Sequence, residues 1–72
     1  MQARRKHLRL ARRAKNWTAA ELAEEVGISE DQIYFYEKGR TRPTREVALR
    51  IAVALDLPAD TAFPELFGGV SL

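Results

Sequence analysis

Thr18-Ala19-Ala20-Glu21-Leu22-Ala23-Glu24-Glu25-Val26-Gly27-Ile28-Ser29-Glu30-Asp31-Gln32-Ile33-Tyr34-Phe35-Tyr36-Glu37-Lys38-Gly39 carries the same start-and-stop pattern twice. Thr18 is a good helix N-cap with Glu21 three residues on, and Ser29 stands in the same relation to Gln32; each is a capping box. Trp17 and Ile28, each just before a cap, are placed to pack on Leu22 and Ile33 as hydrophobic staples. Gly27 and Gly39 supply the left-handed residue that ends each helix. The two helices, 18–26 and 30–38, are joined by only about three residues, which forces a corner of roughly 90–120°. Ala23 is small where the helices meet, Ile33 fills the angle, and Leu22, Val26, Ile28 and Tyr36 complete the apolar set. The plainer alternative is an ordinary helical hairpin within a bundle.

Outward from this unit, helical signals continue and strand signals are nearly absent. Leu8, Ala11 and Ala14 recur at helical spacing from about residue 3 to Lys15, with Asn16 as a stop. Thr44 caps a fourth helix through Leu55, whose apolar stripe is Val47, Ala48, Ile51, Ala52 and Leu55. Pro43 keeps the preceding Gly39-Arg40-Thr41-Arg42 stretch a loop. Asp60 to Phe63 suit a short fifth helix, with Pro64 expected to end it and Phe67-Gly68-Gly69 reading as a loose tail. The expected architecture is all-α with five helices: one domain over 1–67 and a short flexible tail over 68–72.

Composition narrows the function classes. The 72 residues contain no cysteine and one histidine, His7, which excludes a disulfide scaffold, a zinc finger and a thiol nucleophile. A chain this short buries only about 60% of its unfolded surface and leaves little room for a substrate cavity beside a core. No serine, paired carboxylates or glycine-rich loop has a catalytic spacing, so neither an enzyme nor a cofactor is expected. The longest apolar run, Ile51 to Leu55, is far too short to cross a bilayer. Arg4, Arg5 and Lys6 are not followed by the apolar run of a signal peptide, and a cytoplasmic location is expected.

The net charge is only +2, but the charge is segregated. Residues 1–17 carry +7, residues 18–39 carry −5, residues 40–50 carry +3 and the remainder −3. Two basic segments separated by an acidic one can converge into a phosphate footprint, or be a solvated helix face and a basic loop.

The residues Trp17 to Ala23, Val26-Gly27-Ile28-Ser29 and Ile33 to Arg40, with Pro43 ahead of a capped helix, resemble the lambda-repressor-like (Cro/CI, or XRE) helix-turn-helix family. The resemblance covers about residues 5–63. It implies a five-helix domain that binds double-stranded DNA, usually as a homodimer, with helix 30–38 in the major groove. Carried over residue by residue, Glu30, Asp31, Gln32 and Phe35 are the expected base-reading positions. Thr18, Tyr34, Lys38, Arg40 and Arg42 are the expected phosphate contacts, and Arg12 and Glu37 a structural ion pair between the first and third helices. The family often has a glutamine at the second position of its second helix, contacting a phosphate and bracing the recognition helix. This chain has Ala19 there.

Several residues admit more than one reading. Glu30 and Asp31 serve the helix dipole, or accept from cytosine amino groups, or mark a protein partner. Phe35 points outward if Ile33, Tyr36 and Glu37 are buried, toward a thymine methyl, a partner protein, or a rim contact within the fold. Arg4, Arg5 and Lys6 form a phosphate-touching arm or a frayed terminus. Tyr36 is expected in the core, His7 as a solvated helix residue, and Leu57, Phe63, Leu66 and Phe67 with the end of the fourth helix as a dimer face. The runner-up to a DNA-binding regulator is an adaptor or antitoxin-like subunit that binds another protein.

Overall fold

In the computed structural model, which describes residues 5–67, both capping boxes are closed. Thr18 Oγ1 accepts from the Glu21 amide at 3.1 Å while Glu21 Oε1 accepts from the Thr18 amide at 2.8 Å. Ser29 Oγ and Gln32 Oε1 make the same exchange at 3.2 and 3.1 Å. From these starts run α2 (Ala19–Val26) and α3 (Glu30–Lys38). They end at Gly27 (φ 87°) and Gly39 (φ 75°), angles at which an L side chain is strained. Around Gly27 there is open space, with Arg50 Nη1 4.0 Å from where a Cβ would lie, so the backbone angle alone demands glycine.

The helix-turn-helix corner packs as its residue sizes dictate. Leu22, Ala23, Val26, Ile33 and Tyr36 are buried, and Ile28 and Trp17 lie half-buried against the same core. α1 (Lys6–Ala14) precedes this unit, starting later than about residue 3 because Arg5 is not helical; residues 1–4, including Arg4, lie outside the described residues. α1 ends at Ala14, and Asn16, two residues on, takes a left-handed φ of 61°. α4 (Arg45–Ala54) begins at Thr44, whose hydroxyl accepts from the Val47 amide at 3.2 Å. It lays Ala48, Ile51 and Ala52 on the core, followed by Leu55.

The C-terminal end differs from expectation. α5 (Ala59–Ala62) ends at Phe63, and Pro64 then opens a further turn, α6 (Pro64–Phe67), rather than stopping the chain. At the first position of a helix a proline loses nothing, because that N–H has no intrahelical partner. The Phe63 carbonyl accepts from the Leu66 and Phe67 amides at 3.0 and 3.1 Å and closes the turn. Six helices are therefore present among the described residues, and Phe67 is half-buried against the core rather than loose. Gly68 and Gly69 lie outside the described residues. Phe63 is fully buried, so it contributes no surface to the expected dimer face.

Candidate nucleic-acid interface

α3 is half core and half surface. Ile33, Tyr36 and Glu37 face inward, while Glu30, Asp31, Gln32, Tyr34, Phe35 and Lys38 are exposed. Tyr34 and Phe35 are each 39% exposed, so two aromatic rings stand on the outer face of a helix whose core was already complete without them. Gln32 is shared between two tasks. Its Oε1 is occupied by the Ser29 amide, which leaves its NH2 free to donate outward. Thr18 is similar: its oxygen accepts from Glu21, and its hydroxyl hydrogen remains available.

The Arg12–Glu37 pair fixes how α3 lies against α1. Arg12 Nε and Nη2 donate to the two carboxylate oxygens of Glu37 at 2.7 and 3.1 Å, and Nη1 donates to the Trp17 carbonyl at 3.0 Å. The fork geometry satisfies both charges although each side chain is less than a tenth exposed. The hydrogen bond to Glu37 raises the Arg12 pKa against the opposing effect of burial. Arg12 is thereby committed to the interior, and its cationic neighbours are not.

Lys6, Arg9 and Arg13 of α1 turn outward and, with Lys38 of α3, line a cleft of about 600 Å³. Trp17, Thr18 and Tyr34 complete its walls, and Ala19 forms part of the floor, so that Thr18, Tyr34 and Lys38 share this one cleft. Lys6, Arg9, Arg13 and Lys38 have no ion-pair partner among the described residues. Arg9 and Arg13 were legible only as part of a basic block, since helical phase alone does not say which face of α1 meets α3. Arg40 and Arg42 lie apart from this cleft, exposed on the loop after Gly39.

Two sequence expectations need correction. Arg5 is neither an arm nor frayed: it is buried, with its amide donating to the Glu37 carbonyl at 2.8 Å and its side chain paired with Glu65. His7 is half-buried rather than solvated, because Nε2 donates to the Ala62 carbonyl at 2.8 Å. Glu65 and Ala62 belong to the C-terminal segment, more than fifty residues away, where no local pattern announces them. Among the described residues no group of three or more His, Asp or Glu could hold a metal ion, and no helix is long and apolar enough to cross a membrane.

The family model for helix-turn-helix proteins matches residues 8–61, three quarters of the chain. The chain belongs to the XRE-type helix-turn-helix family. A domain of this family is not an enzyme. Among curated proteins the chain is similar to the cryptic phage CTXphi transcriptional repressor RstR of Vibrio cholerae serotype O1, 43% identical over 49 residues. That match covers 68% of this chain and 44% of the repressor, so the chain spans less than half the length of this relative. Among solved structures it is similar to the restriction-modification controller protein C.AhdI from Aeromonas hydrophila, with a TM-score of 0.73 and 28% identity. That alignment covers 81% of this chain and 88% of the controller. The SinR/SinI protein complex shares the fold, with a TM-score of 0.74 at 21% identity, over 92% of this chain and 65% of that one.

Proposed function

We propose that this helix-turn-helix regulator binds double-stranded DNA sequence-specifically, as a cytoplasmic transcriptional regulator acting as a homodimer, with α3 in the major groove. The observation that carries this reading is the outer face of α3, left free of the core and bordered by the cationic cleft. Glu30, Asp31, Gln32 and Phe35 occupy the exposed side and are assigned to the bases. Thr18, Tyr34 and Lys38, joined by Lys6, Arg9 and Arg13, are assigned to the phosphates on one side, and Arg40 and Arg42 to those on the other. RstR is called a transcriptional repressor and C.AhdI a controller, which agrees with a regulatory role.

One such module makes few contacts, which favours a dimer on DNA. With Phe63 buried, the large apolar side chains exposed on α4 are Leu49 and Val53, one turn apart. Sedimentation over a range of concentrations, with and without DNA, is expected to show the dimer; monomer throughout removes it.

Selection from a random duplex library at near-physiological salt tests the whole reading. An enriched inverted repeat with half-site centres about 10 base pairs apart is expected. A single enriched site keeps DNA binding and removes the symmetric dimer. Absence of enrichment favours the protein-adaptor reading, for which exposed Glu30, Asp31 and Phe35 on α3 are the supporting feature. Glu30→Gln separates the roles of the acidic tip: relaxed sequence preference assigns it to readout, and unchanged preference and affinity assign it to the helix dipole.

A further inference from the structure

Arg5 joins two regions far from it in sequence, residues 36–41 and 63–65. Its Nη1 donates to the Tyr36 carbonyl in the last turn of α3 at 2.5 Å, and to the Thr41 carbonyl in the following loop at 3.1 Å. Nε donates to Glu65 Oε2 on α6 at 2.8 Å, and Nη2 reaches the same oxygen. The guanidinium lies 5.3 Å from the centre of the Phe63 ring. The Tyr36 carbonyl also accepts from the Gly39 amide at 3.2 Å, so Arg5 braces the residue at which α3 turns into the loop. Carbonyls at a helix C-terminus lack intrahelical donors, and a fixed cationic fork meets that need better than a point charge.

The Thr41 carbonyl stands between Arg40 and Arg42, the two loop arginines. Beyond them Arg45, the first residue of α4, donates to the Leu66 carbonyl at 3.1 Å and stacks its guanidinium 4.7 Å from the Phe67 ring. The loop is thus bracketed by two arginines, each tied to α6. Arg5 itself has almost no exposed surface.

From this geometry we infer that Arg5 is a positioning residue for DNA binding, set by Glu65, which fixes the end of α3 and the Arg40–Arg42 loop without touching DNA. The inference rests on the DNA-binding reading above, and it adds α6 to the machinery of a site that α6 does not enter.

The test uses the full chain with its selected duplex, measuring affinity across a salt series for Arg5→Gln, Arg5→Lys, Glu65→Gln and Arg42→Ala. Amide exchange of Gly39 and Arg40 is followed in the same variants without DNA. Arg5→Gln is expected to weaken binding about tenfold. Arg5→Lys should fall between it and wild type. Glu65→Gln should cost roughly two- to threefold, since the carbonyl contacts of Arg5 remain. In these three variants the salt slope stays unchanged, whereas Arg42→Ala lowers it by about one. Exchange should accelerate at Gly39 and Arg40 and not in the buried parts of α2 and α4. Unchanged affinity with unchanged protection in Arg5→Gln overturns the inference. So does a salt slope reduced by about one, which makes Arg5 a phosphate contact, or a uniform loss of protection, which makes it merely structural. If the wild-type chain selects no duplex, the DNA reading fails together with the affinity assignment; unchanged exchange at Gly39 and Arg40 would then overturn the brace as well.

Discussion

Two arginine–glutamate pairs hold the last turn of α3, and they differ in what surrounds them. Arg12–Glu37 is sealed, with side chains 8% and 7% exposed, and among the described residues each partner is the other's only ion-pair partner. Arg5–Glu65 is buried at the arginine (9%) but one-third exposed at the glutamate (32%), and its arginine is also satisfied by two carbonyls. A sealed pair makes each partner depend on the other, because a lone charge in the interior has no water to turn to. A half-open pair does not. The difference separates a residue that maintains the fold from one that adjusts a loop.

The largest expected effect breaks the first pair. Glu37→Ala should destabilise the chain by about 3–5 kcal/mol in urea unfolding, because it strands the Arg12 guanidinium. Replacing both partners, Arg12→Met with Glu37→Leu, should recover most of that loss. If the double replacement is as unstable as the single one, the pair is a net source of stability and the distinction between the two arginines weakens.

The second pair yields a smaller effect with a pH signature. Burial pushes the Glu65 carboxyl upward, but its own backbone N–H, the Arg5 side chain and the charges of Arg5 and Arg42 outweigh that and hold it below the usual range. A carboxyl lowered on folding adds stability that is complete above its unfolded pKa and disappears as the pH falls through its folded pKa. Glu65→Gln should therefore be less stable than wild type near neutrality, by less than about 1 kcal/mol for so open a pair. The two unfolding curves should converge once the pH has fallen below the lowered folded pKa of Glu65. A constant gap down to that pH would trace the loss to packing of the residue rather than its charge.

The two pairs also show what the sequence discloses. The helix-turn-helix is written locally: both capping boxes and both glycine stops lie within a few residues of what they control, and the structure follows them. The same short-range signals fail at Pro64. Proline stops one helix and starts the next with equal ease, and the chain beyond Pro64 turns again here with Phe63 buried. Arg12 and Glu37 were placed together only by family resemblance. Arg5 and Glu65, sixty residues apart, carry no such signal, and an arginine beside Arg4 and Lys6 reads naturally as part of a basic terminus. Among the residues proposed for the interface, those on α3 follow from its helical phase. The cleft depends on how α1 is rotated, which the buried Arg12 sets.

The smallest effect belongs to a third pair, which extends the comparison to a carboxylate open to water. Lys15 Nζ lies 2.7 Å from Asp56 Oδ2, with the carboxylate 78% exposed. Water already solvates the carboxylate, and neither charge is buried, so the pair should contribute less than about 0.5 kcal/mol. Asp56 has a second reason to be there: its φ of 59° lies in the left-handed region, which asparagine and aspartate enter at lower cost than other non-glycine residues. Asp56→Asn removes the charge and keeps that backbone preference, so its unfolding free energy should stay within about 0.5 kcal/mol of wild type. Asp56→Ala removes both and should cost about 1 kcal/mol more. Equal losses in the two variants would mean that the ion pair, not the backbone, selects aspartate, and that exposure does not rank the three pairs after all.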